Sequence, residues 1–248
     1  EYAVADARMC MPLDGVAEAA DGASWCINPF TAYAIWDTAC SRGATAIVHT
    51  GAASQLGQML VQLCAAKGLT LINVVRRAEQ ATMLRALGAV HVVVTSEPNW
   101  VEQLGELVRA TGAHVAFDCI AGEMTKALVG VLPAQRGVCY VYGRLSGDAA
   151  RIEPVELIYG GKHVEGFLVM GTPRAWLGGS VGPWRLWRRW RAASATVLDG
   201  LRAPGGWARS QFVDCSLEEA FPKFLEVFAG KEANDGRGFT GRKLRVRP

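Results

Sequence analysis

The chain has 248 residues, half of them hydrophobic and 20% charged, with a formal net charge of +3. That composition excludes a disordered or fibrous chain and reads as a globular protein with a sizeable core, in one large domain or two small ones. The charge excess is too small to imply a nucleic-acid partner.

From the amino end, Glu1–Ser24 shows only fragments of strand and loop. Acidic residues outnumber the single Arg before position 20, which does not suit a secretory signal. Position 1 is Glu rather than Met, so a piece of a longer protein is the expectation. After Asn28-Pro29-Phe30-Thr31-Ala32-Tyr33, an apolar strand, Ala46–His49, runs into the turn Thr50-Gly51-Ala52-Ala53-Ser54-Gln55-Leu56-Gly57. A helix pattern follows, with Leu56, Met59, Leu60, Leu63 and Cys64 on one face and Lys67-Gly68 as its stop. The uncharged run Gly43–Ala66 is long enough to span a bilayer. It carries His49, Thr50, Ser54, Gln55, Gln58 and Gln62 and a turn in its middle, so it reads as a buried strand and helix, with no membrane partner.

The next strand, Thr70–Val75, ends on Arg76-Arg77. Further short strands rich in Val follow at His91–Thr95, His114–Cys119, Val138–Tyr142 and Val164–Val169. Between them lie helices, one ending at Leu87-Gly88 and one bearing Trp100, Val101, Leu104, Leu107 and Val108 on a shared face. Such strands suit a parallel sheet buried on both faces. Six of them alternating with helices predict an α/β fold: a doubly wound, six-stranded parallel sheet of Rossmann type. After Gly171 the pattern changes to Gly- and Pro-rich loops around a helix from Trp184 to Asp199. A helix over Leu217–Phe228 then leads to a last strand near Arg242–Val246. The run Trp184–Arg191 reads as an amphipathic helix packed on the sheet or at an interface, its Arg stems covering apolar surface.

The turn after the first strand carries the main chemical signal, because such a turn brings backbone N–H groups and a helix N-terminus up to a pyrophosphate. The strict Gly-x-Gly-x-x-Gly is degenerate here, with Ala52, Ser54 and Gly57 in its three positions. Ser54, Gln55, Leu56 and Gly57 are the candidate phosphate cradle; an ordinary turn whose small residues relieve crowding is the alternative. Arg76 and Arg77 stand where an NAD-specific fold places an acid for the ribose 2′-OH. Two guanidinium forks suit a 2′-phosphate instead, and hence NADP(H); a solvated surface pair is the alternative. Asp118, Tyr142-Gly143 and Phe167-Leu168 fall at or near the carboxyl ends of later strands, where ligands bind in open α/β sheets. They are expected to line the nicotinamide side of a cleft, with core packing as the alternative. His49, His91, His114 and His163 lack metal-ligand spacing and read as structural. The seven cysteines are odd in number and form no C-x-x-C pair. They read as buried reduced thiols, without disulfide or metal site, in the cytoplasm or another reducing compartment.

Taken in order, these motifs resemble the medium-chain dehydrogenase/reductase superfamily, and within it the zinc-independent quinone oxidoreductase and 2-enoyl thioester reductase branch. The resemblance is carried by Asn28–Tyr33, Ala52–Gln58, Ile72–Arg76, Leu87-Gly88-Ala89 with His91-Val92-Val93, Phe117-Asp118-Cys119, Tyr142-Gly143, Gly166-Phe167-Leu168 and Gly241-Arg242-Lys243. It implies that Ser54, Gln55, Leu56 and Gly57 hold a pyrophosphate and Arg76 and Arg77 a 2′-phosphate. Asn28, Tyr142, Gly143, Phe167 and Leu168 would lie about the nicotinamide, and Arg242 would replace a cofactor-contacting Lys. Gln55 stands where the branch usually has Gly. Most of the family's N-terminal GroES-like lobe is missing, and with it a catalytic Tyr that Tyr2 and Tyr33 do not match, so the resemblance assigns no catalytic residue. The implied division is a catalytic-domain remnant over 1–27, a Rossmann core over 28–171, packing helix and loops over 172–210, and a return segment over 211–248. The implied activity is NADPH-dependent hydride transfer to a small molecule with an activated C=C bond (a 2-enoyl thioester or enone) or to a quinone, with little turnover by this stretch alone. A homodimer through the edge strand Val164–Val169 is also expected. A non-catalytic nucleotide-binding or interaction module, and an enoyl reductase piece of a multidomain synthase, are the alternatives.

Overall fold

The Val- and Ile-rich runs form six strands in the computed structural model, which describes residues 4, 13–16, 19–169, 183–232 and 243–246. They are β1 Ala46–Thr50, β2 Thr70–Val75, β3 His91–Val94, β4 Val115–Asp118, β5 Val138–Val141 and β6 His163–Gly166. All pair in parallel, in the order β3-β2-β1-β4-β5-β6. The winding reverses between β1 and β4, as in a doubly wound Rossmann sheet. The helices in chain order are α1 Ala19–Gly22, α2 Asn28–Ser41, α3 Gln55–Lys67, α4 Ala78–Ala86, α5 Trp100–Thr111, α6 Glu123–Val131, α7 Pro154–Ile158, α8 Pro183–Arg202 and α9 Leu217–Glu232.

Alternation along each strand sorts its side chains between two apolar layers. Ile47, Leu71, Val115, Phe117, Val138 and Tyr140 join a cluster with Phe30 of α2, Leu60 and Leu63 of α3, and Val197 and Leu201 of α8. Ala46, Val48, Ile72, Val74, Ala116 and Cys139 join Leu104 and Val108 of α5 and Leu128 and Val129 of α6. Burying each large aliphatic side chain of this kind contributes about 1.5–3 kcal/mol. The uncharged run Gly43–Ala66 is thus β1 and α3, and among the described residues no helix is long and apolar enough to cross a membrane. The Trp- and Arg-rich stretch lies in α8 and packs on α2: Trp190 stacks on Phe30 with centroids 4.8 Å apart, and Arg189 pairs with Asp37 at 2.7 Å.

The strands end earlier than their apolar runs. Thr95, Tyr142 and Phe167 each donate one last bond to the neighbouring strand, to Val75 O (2.8 Å), Asp118 O (2.9 Å) and Val141 O (2.9 Å). The ladder stops there, as the chains part at the carboxyl edge. Phe167 and Leu168 therefore follow β6 rather than lie within it, a correction to the strand expected over Val164–Val169. The sequence reading also missed β7, Phe212–Cys215, which pairs in parallel with β8, Lys243–Val246, as a separate two-stranded sheet.

Candidate dinucleotide cleft

At the end of β1 the chain turns sharply through Gly51, whose φ of +60° suits a residue without Cβ. Three residues later Ser54, in extended conformation, caps α3: its hydroxyl accepts the Gly57 N–H at 3.1 Å. Gly57 is needed for packing. A Cβ there would lie 2.0 Å from the Ala52 carbonyl oxygen, so helix and turn touch directly. Gln58 braces the turn from behind, donating through Nε2 to the Ala53 carbonyl at 3.0 Å. The first-turn N–H groups of a helix have no partner within it, and with the helix dipole they favour an anion. α3 carries no acidic residue in its first turn to oppose one.

Across from this turn, β2 ends at Val75 and the chain passes through Arg76 and Arg77 into α4. The Gln80 side chain accepts both of their backbone N–H groups, at 3.0 and 3.1 Å, and so fixes where the two arginines start. Arg76 is exposed and Arg77 partly buried. Between the turn and β2 opens a cleft of about 280 Å³. Thr50, Gly51, Ala53 and Ser54 form one wall, Val74, Val75, Arg76 and Gln80 a second, and Thr95, Ile120, Met124 and Leu145 the rest.

Of the residues expected from the sequence, Ser54 and Arg76 line this cleft directly. Gln55, Leu56 and Gly57 form the buried first turn of α3 behind it. Asn28 opens α2 and is partly buried. Tyr142 and Gly143 follow β5, and Gly143 lies so close to Cys119 that a Cβ would meet the Cys119 carbonyl oxygen at 2.8 Å. The Phe167 side chain is only 5% exposed and packs edge-on against Phe117 and Tyr140, in the core, whereas Leu168 is 52% exposed. Arg242 lies outside the described residues.

Asp118 corrects the sequence reading in another way. It is fully buried, and its carboxylate accepts from Thr50 Oγ1 (2.8 Å), Thr125 Oγ1 (2.7 Å) and the Ile120 N–H (2.9 Å). It also accepts the Ala121 N–H at 3.2 Å. It does not face the cleft; it holds the β4–α6 turn that presents Ile120 and Met124 to it. His49 is likewise fully buried, and its Nε2 shares a 2.6 Å hydrogen bond with the Tyr142 hydroxyl. Burial pushes the imidazole pKa down to about 3 and the Tyr142 hydroxyl and Cys119 thiol up, so all three are uncharged at neutral pH. The His49 Nδ1 has no partner among the described residues, so this histidine is only half satisfied. Sequence reasoning missed Gln80, Thr95, Met124 and Leu145; position after the ends of β2, β3, β4 and β5 is the signal that could have found them.

Fold and cleft together define a dinucleotide-binding domain. Residues 56–178 match the zinc-binding dehydrogenase family model. A mitochondrial enoyl-acyl-carrier-protein reductase of Xenopus tropicalis is 28% identical over 155 residues, which cover 60% of this chain and 44% of that protein. The crystal structure of a candidate NADPH:quinone reductase from Mesorhizobium loti superposes with a TM-score of 0.80 at 29% identity, over 98% of this chain and 65% of that one. An Etr1p complex with NADP and crotonyl-CoA shares the fold, with a TM-score of 0.63 at 17% identity over 86% of this chain and 59% of that one. The cofactor-binding region of this chain thus belongs to the medium-chain dehydrogenase/reductase superfamily, among quinone oxidoreductase and enoyl thioester reductase relatives. The matched stretch spans less than half of the curated relative's length. Although the family description names zinc, no group of three or more His, Cys, Asp or Glu able to hold a metal ion occurs among the described residues. The described residues do not fit a zinc site.

Proposed function

We propose that the chain is the NADPH-binding part of a reductase that transfers hydride to an activated C=C bond, in a 2-enoyl thioester or enone, or to a quinone. The observation that carries this reading is the pairing of the Ser54 turn with Arg76 across one cleft, with no acid at the end of β2. The α3 first turn suits a pyrophosphate, and Arg76, with Arg77 beside it, suits a 2′-phosphate. Asn28, Tyr142, Gly143 and Leu168 are assigned to the nicotinamide end, and the core-packed Phe167 would contribute there through its backbone. Bound NADPH supplies the hydride; the protein's part is to hold and orient it. The choice of acceptor draws on the relatives, which are named as enoyl and quinone reductases. Titrating NADPH and NADH by quenching of tryptophan fluorescence tests the reading. Preference for NADPH is expected, and equal affinities would count against it.

The same reading carries two lesser proposals. A homodimer forms through β6, the edge strand of the sheet, which follows α7 and its exposed Val155, Ile158 and Tyr159 in the chain. The protein works in a reducing compartment, supported by free thiols at Cys64, Cys119, Cys139 and Cys215.

A further inference from the structure

The cradle contains one long polar side chain, that of Gln55, only 8% exposed. Its Nε2 donates to the Gln211 carbonyl at 2.5 Å. Gln211 immediately precedes β7, and its two predecessors are also fastened. Ser24 Oγ donates to Ser210 Oγ at 2.6 Å, and Arg209 meets Asp21 at 3.5 Å. One short stretch is therefore tied both to the segment before α2 and to the turn proposed to hold a pyrophosphate. A glycine at position 55 would leave the second tie unmade.

We infer that Gln55 is a positioning residue that couples dinucleotide binding to the docking of β7. The inference rests on the dinucleotide reading above. A pyrophosphate drawn to the first-turn N–H groups of α3 would fix the backbone from which the Gln55 amide projects. With that backbone fixed, ordering Gln211 and β7 against it costs less conformational entropy. By linkage, docking of β7 strengthens dinucleotide binding by the same factor. The Gln55 side chain is nearly buried, so releasing the Gln211 carbonyl breaks a hydrogen bond where water has little access to replace it.

Amide hydrogen exchange on the 248-residue chain, with and without NADP+, tests the coupling. In the parent protein NADP+ should slow exchange at residues 55–58 and also at Phe212–Cys215. Gln55→Met keeps the length but removes the donor. It should retain protection at 56–58, lose the gain at 212–215, and bind NADP+ about fivefold or more weakly. Gln55→Gly, which adds no bulk, should repeat the loss, and unchanged exchange in β1 and β2 shows that either variant is folded. Cradle protection without any at β7 sinks the coupling alone, as does an undiminished β7 response in both variants. An absence of protection at both segments overturns the dinucleotide reading and the coupling with it.

Discussion

Replacing Gly57 by Ala puts the cradle geometry to a direct test. The added Cβ would lie 2.0 Å from the Ala52 carbonyl oxygen, 2.4 Å from its carbon and 2.6 Å from the Ala52 Cα. All three are backbone atoms of the turn, so no side chain can rotate away and the helix must lift off. Overpacking of this kind costs about 1–3 kcal/mol, and a backbone obstacle places Gly57→Ala at the upper end. Lifting the helix also stretches the 3.1 Å bond from the Gly57 N–H to Ser54 Oγ, and losing such a cap costs about 1 kcal/mol. A total of roughly 3–4 kcal/mol should lower the melting temperature by roughly 6–16 °C in a chain of this size. Thermal unfolding followed by circular dichroism, with and without NADPH, measures both the loss and the stabilisation by cofactor. A variant that melts within about 2 °C of the parent and is stabilised equally by NADPH would refute the close-packed cradle.

Three further outcomes are expected. The double substitution Arg76→Ala/Arg77→Ala should weaken NADPH binding by about 1.5–3 kcal/mol and leave NADH binding unchanged; equal losses for both cofactors would remove the 2′-phosphate assignment. His49 is held at a pKa of about 3 by burial, so the unfolded chain takes up a proton that the fold refuses. Its contribution to stability is complete above the ordinary histidine pKa of about 6.5 and is lost as pH falls toward 3, at up to about 1.4 kcal/mol per pH unit. Urea unfolding between about pH 7 and about pH 5 should therefore show a shallower decline in His49→Gln than in the parent, and parallel declines would disprove the assignment. Sedimentation at micromolar concentration should give a dimer, and a monomer there would rule out pairing through β6.

The sheet was legible because its information is local. Ala46–His49 and Thr70–Val75 are short apolar runs bounded by turn residues, and the observed strands differ from them by at most one residue. The start of α3 after the β1 turn was legible for the same reason, and Ser54 and Gly57, three apart, form its cap there. What could not be read depends on partners distant in the chain. Phe167 reads as a cleft residue by its place near a strand end, but Phe117 and Tyr140 draw its ring into the core. Asp118 reads likewise, yet Thr50 and Thr125 close around its carboxylate. β7 has no periodicity of its own to announce it, because its partner β8 arrives only after a whole helix has intervened. From sequence Gln55 is only a departure from the branch's usual Gly; its contact with Gln211 is seen once the two are brought together.

The place of β1 in the sheet has a consequence for synthesis of the protein. One edge of β1 pairs with β2, its nearest neighbour in sequence, and the other with β4, two crossovers later. A chain leaving the ribosome can zip β1, β2 and β3 together while the opposite edge of β1 still waits for Val115–Phe117. During that interval every residue of Ala46–Thr50, all buried in the finished fold, borders an open row of hydrogen-bonding groups. Such an edge recruits other nascent chains. Losses during expression should therefore concentrate in the interval between translation of β3 and of β4, and slowing elongation there should worsen them more than slowing it anywhere after β5.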